Sequence, residues 1–453
     1  MSALLQYANT GKITANDYDL DSDEAGKPSW DGAKVGVLFS AEPTQYGLTK
    51  VRRIYWRSWT ESSHVWGSAV DVSGADAAGH GWGSPDHVRM GDGKLIAAYD
   101  RDALGGSGSG FYGFMIKESA DSGVTWANPY SGAGLFDTDK LIGIITDSND
   151  QSICYAFTQG PVNIGGKITV HIRTGVATWS PFLVWQNNGI LTEGWNFNYF
   201  PFQAAVAKNG RVILFGNRII GNKSSRLGCL YNVNVQSYNS WQEGQALIDA
   251  PGTDVFRIPM AVVGSDNHVR VVYTHDVINT YGGSPTYRVA ISVGMSPTWD
   301  LGNYDPEAFH GTDDDGYPIN LPNSWHNWSS LAIDAKNRML LIIPDETRAK
   351  FNLYRCWGTR PSDWRLLGGG PLVRASDGLA WTNAGSELPG ASVMAGNNLY
   401  RVVPVWNPNL AGDPTGNTPW DELWLCVVAN AGTDAGGRTG GGGGGPRSFP
   451  VDG

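Results

Sequence analysis

One recurring unit limits what this chain can fold into more than any other feature. An apolar run, a tight turn, a second apolar run, a loop and a third run close on a tryptophan, and the unit is read seven times, the last copy without that tryptophan. The closing tryptophans stand at 66, 126, 179, 241, 299 and 364, at intervals of 60, 53, 62, 58 and 65 residues. The turns between first and second runs include Gly91-Asp92-Gly93, Asn149-Asp150, Asn209-Gly210, Asp266-Asn267, Lys336-Asn337 and Asn397-Asn398. Asn and Asp bond to backbone two residues on and Gly accepts positive φ, so such turns between apolar runs read as β-hairpins. No long helical periodicity competes. A period near 60 residues suits one four-stranded blade with its loops, and radial repetition of blades protects the sheet edges of an all-β chain. The expected fold is all-β: a seven-bladed β-propeller of four-stranded antiparallel blades over residues 1–435, then a Gly-rich C-terminal tail over 436–453 with six consecutive glycines from Gly440 to Gly445. The seventh unit, from Ala391 to Ala429, supplies only three runs. The N-terminal segment Ala3 to Ala15 is the candidate for its fourth strand, which would close the ring and remove two open edges.

Composition narrows the partners. With 33 basic and 43 acidic side chains the net charge is −10, which disfavours nucleic acid and, at long range, anionic glycans unless a local basic pocket overrides the field. Cys154, Cys229, Cys356 and Cys426 are widely spaced in apolar runs, so they read as buried free thiols rather than a metal or redox motif. No apolar run approaches eighteen residues, so no membrane-spanning helix is expected. The start Met-Ser-Ala-Leu-Leu-Gln-Tyr lacks a basic region and a long apolar core, so no signal peptide is expected, and the expected localisation is a virion or the extracellular space after release.

Ser119-Ala-Asp121-Ser-Gly123-Val-Thr125-Trp126 has the form Ser-x-Asp-x-Gly-x-Thr-Trp. Asp and Gly suit a tight turn, and Thr-Trp restarts a half-buried run. The eight residues resemble the Asp-box of the sialidase-like, BNR-repeat β-propellers, a family of enzymes and non-enzymes, with Ser119, Asp121, Gly123, Thr125 and Trp126 as its structural positions. Later units keep Thr-Trp or Ser-Trp without the carboxylate and glycine.

In a propeller the first strand of each blade lines the channel, and the loops leading into these strands rim one face. That reasoning gathers Asp86 and His87, Asp139, Asn198 and Tyr199, Asp254 and Arg257, His326 and Asn327, and Glu387. Phe256-Arg257-Ile258-Pro259 resembles the Phe/Tyr-Arg-Ile-Pro motif of sialidases, which implies that Arg257 grips a substrate carboxylate by its two-pronged guanidinium. The motif opens the fifth unit here and the first blade in that family. His326-Asn327 at a strand start resembles seven-bladed BNR-type polysaccharide lyases, in which His or Tyr takes the C5 proton of a uronic acid while Arg neutralises its carboxylate. In an enzyme the catalytic groups would be His87, Arg257, His326 and Tyr199. The expected sugar-binding groups are Trp195, Tyr199, Trp325, Asp86 and Asn327, rings to stack and polar groups to hydrogen-bond. The acidic runs Asp17 to Glu24 and Asp313 to Asp315 read as solvated loops or as a structural Ca²⁺ site, and no other cofactor is expected.

Three functions stay open. The leading expectation is a non-enzymatic virion or tail-associated protein that binds host surface glycans, with other virion proteins or further copies of itself engaged through the tail. The alternatives are a glycan-cleaving enzyme, a uronic-acid lyase or a sialidase-like hydrolase, and a scaffold propeller with no ligand.

Overall fold

A computed structural model of the chain describes residues 7–12, 18–19, 28–43, 53–74, 81–102, 111–129, 135–136, 140–147, 150–160, 167–174, 178–186, 193–196, 203–206, 211–220, 223–232, 234, 236, 240–249, 259–275, 286–292, 299–300, 330–344, 350–356, 363–371, 392–405, 422–429 and 431–433. All the named elements among them are β-strands, and they form seven antiparallel sheets.

The sheets follow the repeat. The first is built on Lys34–Pro43 and Arg53–Thr60, with the short pairs Tyr18–Asp19 and Ser29–Trp30 on one side and Val65–Trp66 and Val70–Asp71 on the other. The second holds Gly81–Arg89, Leu95–Asp102, Phe111–Ser119 and Leu135–Phe136. The third holds Lys140–Thr146, Cys154–Gln159, Lys167–Thr174 and Thr178–Gln186. In the fourth, Glu193–Asn196 and Gln203–Val206 both pair with Val212–Ile220, followed by Lys223–Asn232 and then Gln242–Glu243 and Ile248–Asp249. The fifth is Met260–Val263, Val269–His275, Thr286–Ser292 and Trp299–Asp300, and the sixth is Ser330–Ile333, Met339–Pro344, Lys350–Cys356 and Trp364–Pro371. The seventh runs Ser392–Ala395, Asn398–Val405, Glu422–Val428 and, from the other end of the chain, Tyr7–Lys12.

Both faces of each sheet are buried, which explains why the second strands read as unbroken apolar runs rather than alternating ones. Side chains alternate faces along a strand. Leu95, Ala97 and Tyr99 pack with Leu38, Ile54, Trp56 and Val72 of the first sheet, while Ile96 and Ala98 pack with Leu141, Ile144, Cys154 and Ala156 of the third. In the third sheet Tyr155 and Phe157 turn the other way, onto Val212 and Leu214 of the fourth. Ile213 and Phe215 then meet Val269, Val271 and Tyr273, and Val272 meets Met339 and Leu341. Leu340 and Ile342 meet Leu399, and the seventh sheet packs through Tyr400, Val402 and Leu425 on Val35, Val37, Phe39 and Trp59 of the first. Every seam is thus an apolar core between consecutive sheets. A fully buried side chain of this kind contributes about 1.5–3 kcal/mol, against about 0–1 kcal/mol for an exposed ion pair, so the seams rather than the surface charges carry the fold.

The predicted turn chemistry recurs from sheet to sheet. Asp31 Oδ1 accepts from the amides of Ala33 and Lys34, Asp92 Oδ1 from Lys94, Asp150 Oδ1 from Ser152, Asp266 Oδ1 from His268 and Asp334 Oδ1 from Lys336. Asn267 and Asn337 take the positive φ that short Asx side chains tolerate, at +73° and +62°. All four cysteines are free and buried.

The Asp-box forms as its sequence requires. Ser119 Oγ donates to Asp121 Oδ1 at 2.8 Å and accepts from the Gly123 amide, while Asp121 accepts from both the Thr125 amide and Thr125 Oγ1. These bonds, the Thr125 hydroxyl first, pull the Asp121 carboxyl down to about 2. Gly123 has φ +93°, and a Cβ there would run into the Trp56 indole of the first sheet. Trp126 meets the same indole edge-on at 5.9 Å. The box therefore locks the second sheet to the first through Trp56, which sequence reasoning did not foresee. A degenerate version closes the fourth sheet, where Ser240 Oγ donates to Asn232 Oδ1 at 2.6 Å ahead of Trp241.

Candidate functional site

Strands on one side of the seven sheets touch one another in succession. Gly81–Arg89 touches Lys34–Pro43 on one side and Lys140–Thr146 on the other; contacts continue through Gln203–Val206, Met260–Val263, Ser330–Ile333 and Ser392–Ala395 to Ser29–Trp30. Here the sheets differ. In the fifth, sixth and seventh the first strand is four residues long and pairs in regular register. In the second and third it is bulged, between Gly83 and Asp86 and between Leu141 and Gly143. In the fourth the described pairing is interrupted: Glu193–Asn196 ends with Asn196 against Asn217, and Gln203–Val206 resumes with Gln203 against Phe215. Bulges redirect side chains and are frequent beside active sites.

Buried carboxylates hold this inner layer. Asp86 accepts the Ile144 amide at 3.0 Å, and Asp100, 1 % exposed, accepts the Leu141 amide, so two acids of the second sheet grip the third sheet's first strand on either side of its bulge. One seam further on, Gln159 Nε2 donates to the Trp195 carbonyl at 3.1 Å. Asp100, Gln159 and Asn217 are among the buried polar groups that sequence reasoning missed. Their signal was a polar residue ending the apolar run of the second strand in three successive units.

The expected site residues divide sharply. Asp86 is half-buried and committed to backbone amides. His87 is 2 % exposed, its Nε2 lies 2.9 Å from Ser29 Oγ, and its ring sits edge-on to Trp56 at 5.0 Å. It is packed into the seam between the first two sheets, so its ring does not present a base to a polymer. Trp195 is also buried: its indole joins the core between the third and fourth sheets, with the Arg218 guanidinium 5.9 Å from the ring centroid. It is a packing tryptophan rather than an open sugar platform, because the strand that carries it turns it into the seam. Tyr199, Arg257, Trp325, His326 and Asn327 lie outside the described residues, as do Asp139, Asn198, Asp254 and Glu387 and most of the two acidic runs offered for Ca²⁺. In sequence, Arg257 comes three residues before Met260–Val263, Asn327 three before Ser330–Ile333, and Tyr199 inside the interruption of the fourth sheet's first strand. Among the described residues no group of three His, Cys, Asp or Glu side chains is placed to hold a metal, and no helix is long and apolar enough to cross a membrane.

These features define an all-β protein of the propeller type, with small antiparallel sheets packed face to face. Among solved structures, the polysaccharide lyase Uly1 superposes with a TM-score of 0.55 at 8% identity, over 95% of this chain and 93% of its own. A GH93 α-L-arabinofuranosidase of Fusarium graminearum matches at 14% identity with a TM-score of 0.43, over 76% of this chain and 92% of its own. The NanB sialidase from Streptococcus pneumoniae matches at 9% identity with a TM-score of 0.47, over 81% and 70%. No family model and no curated protein sequence matches the chain.

Proposed function

We propose that the seven sheets are the blades of one closed propeller, its ring completed by Tyr7–Lys12, and that the protein is a glycan-cleaving enzyme of the polysaccharide-lyase kind. Closure is supported by the core shared between the seventh and first sheets and by the pairing of the two chain ends. The observation that carries the enzymatic reading is the likeness to a polysaccharide lyase over nearly the whole of both chains. It favours cleavage over the binding-only virion role that the sequence suggested first.

The residues proposed for the chemistry are Tyr199, which in sequence falls between Glu193–Asn196 and Gln203–Val206, Arg257, three residues before Met260–Val263, and His326 and Asn327, four and three residues before Ser330–Ile333. Arg257 and Asn327 would neutralise a uronate carboxylate, acidifying the C5 proton. Tyr199 or His326 would take that proton as general base. The C–H electron pair then forms the C4–C5 double bond, the C4–O bond to the preceding sugar breaks, and the leaving oxygen gains a proton. With a net charge of −10, a local cation such as Arg257 is needed to hold an anionic polymer at all.

The test is incubation with a panel of uronate-bearing, sialylated and arabinose-bearing polysaccharides, with product analysis. Unsaturated uronates, lost in Arg257→Ala and in one of Tyr199→Phe or His326→Ala, are expected. Released monosaccharides would move the reading to a hydrolase. Binding without products would return it to a non-enzymatic glycan-binding protein of a virion, attached through the tail that follows Ala431–Thr433.

A further inference from the structure

The seventh sheet is fastened by more than its own ladder. Past Glu422–Val428, residues 431–433 present three consecutive backbone carbonyls to the sixth sheet. Arg355 Nη2 donates to the Ala431 carbonyl at 2.8 Å and to the Thr433 carbonyl at 2.6 Å, and Arg338 Nη2 donates to the Gly432 carbonyl at 3.0 Å. Carbonyls in a seam need such donors, because burial leaves water too little access to serve them. Ala431 is 2 % exposed and packs with Leu340, Leu353, Leu399 and Val428 in the core between the two sheets.

Strand register places the two arginines for this task. Arg355 of Lys350–Cys356 pairs with Leu340 of Met339–Pro344, and Arg338 comes two residues before Leu340. Residues two apart on an extended chain share a face, and so do directly opposed residues. Both guanidiniums therefore stand on the face that Leu340 turns to Leu399 of the seventh sheet. Arg338 is also aimed by its own turn: its Nε donates to Asp334 Oδ2 at 2.7 Å, while Asp334 Oδ1 accepts from the amides of Lys336 and Arg338. The turn chemistry that closes the first hairpin of the sixth sheet thus orients a side chain towards the seventh. On the other side, the Gly432 amide donates to the Asn397 carbonyl at 3.0 Å, in the turn between Ser392–Ala395 and Asn398–Val405. An added Cβ at Gly432 would lie 3.1 Å from Met394 Cε, so the backbone lies close against that hairpin.

We propose that residues 431–433 are a latch between the sixth and seventh sheets, held by Arg338 and Arg355 and able to open without unpairing Glu422–Val428. The seventh sheet is then secured from both ends of the chain. Tyr7–Lys12 extends its ladder, and the latch ties it to its neighbour at the turn end of their first hairpins. The latch is independent of the glycan reading above. Hydrogen bonds from a charged donor are stronger than neutral ones, so losing one should shift the local opening equilibrium by about tenfold.

The test is hydrogen exchange of the full chain, read by mass spectrometry in wild type, Arg338→Gln, Arg355→Leu and Arg355→Lys. The reporter is the Gly432 amide, whose bond to Asn397 is broken only when the segment lifts. Its exchange should rise about tenfold in Arg338→Gln and further in Arg355→Leu, which removes two bonds. Arg355→Lys, which keeps a charged donor, should restore part of the protection. Peptides from Lys350–Cys356 and Asn398–Val405 should exchange as in wild type. Buried Arg355 is the position at which substitution threatens folding; Arg338, with a side chain 15 % exposed, then decides the matter alone. Gly432 exchange at the wild-type rate in Arg338→Gln overturns the proposal. So does a rise shared equally by the strands of both sheets, which would make the arginines general supports of the fold rather than parts of a latch.

Discussion

The seam between the second and third sheets and the seam between the seventh and first do the same job with different materials. In the former, charge is buried among the apolar side chains: Glu118 receives Arg173 Nε at 2.8 Å and Nη2 at 3.1 Å and the Trp179 indole N–H at 3.3 Å, while Asp86 and Asp100 grip backbone amides across the gap. In the latter, aromatic bulk dominates. Trp30 stacks on Tyr400 at 6.1 Å, Trp59 lies 5.8 Å from the same ring, and the polar contribution is Glu61 accepting from Tyr400 Oη at 2.6 Å and from Asn398 Nδ2. Burial and the bond to Glu61 push the Tyr400 hydroxyl's pKa up, so it stays a donor. The difference follows from chain connectivity. The second and third sheets are neighbours in sequence, and buried ions satisfied in only one register define how they slide against each other. The seventh and first sheets are brought together from opposite ends of the chain, against the entropy of closing a very long loop, and large buried rings supply the free energy that offsets it.

The sharpest way to break the comparison is to remove residues 1–12. That strips Tyr7–Lys12 from Glu422–Val428 and leaves the latter as an open edge, which invites pairing with another chain. The variant should self-associate in size-exclusion chromatography and melt at a much lower temperature. A monomer with wild-type melting would mean that the ring does not close through this strand.

Next in size come two matched cuts. Glu118→Ala leaves Arg173, its side chain 2 % exposed, without the carboxylate that it is bonded to, and should cost about 3–5 kcal/mol in chemical denaturation. Tyr400→Phe removes one hydroxyl from the aromatic seam and should cost about 0.5–1.5 kcal/mol. Equal losses would erase the contrast drawn between the seams.

The smallest effect lies in pH. His171 faces Phe114 across the second seam at 4.8 Å, and burial, with Lys167 adding to it, holds its pKa down to about 3 from the usual 6.5. The folded state therefore binds fewer protons than the unfolded one between about pH 3 and 6.5, and stability falls as pH drops through that window. Replacing His171 with Leu should move the midpoint of acid unfolding to lower pH, as followed by tryptophan fluorescence. An unchanged midpoint would show that His171 does not contribute to the acid sensitivity of this seam.

Much of the architecture was legible because its signals are local. The turns at Asp92, Asp150, Asp266 and Asp334 bond to amides two residues away, and the Asp-box closes within eight residues, so neither depends on distant chain. The inner pairs Tyr18–Asp19 and Ser29–Trp30 were harder to read, because strands of two residues carry no periodicity. At the candidate site the sequence showed residue types but not orientation. His87 and Trp195 have the chemistry of a base and a sugar platform, yet both are turned into seams. Which way a side chain faces at a bulge depends on one inserted residue, and a one-residue shift exchanges the two faces of a strand.

The sequence by itself determined the seven-unit repeat, the all-β class, the hairpin turns and the box around Asp121, since these rest on spacing and on contacts within a few residues. Tertiary structure alone decided that Gly123 must be bare to admit Trp56 from another sheet, that Asp86 and Asp100 serve backbone amides, and that Gln159 of the third sheet donates to the Trp195 carbonyl of the fourth. Each of those joins residues from different sheets, and such partners are chosen by how the sheets pack, which no local pattern encodes.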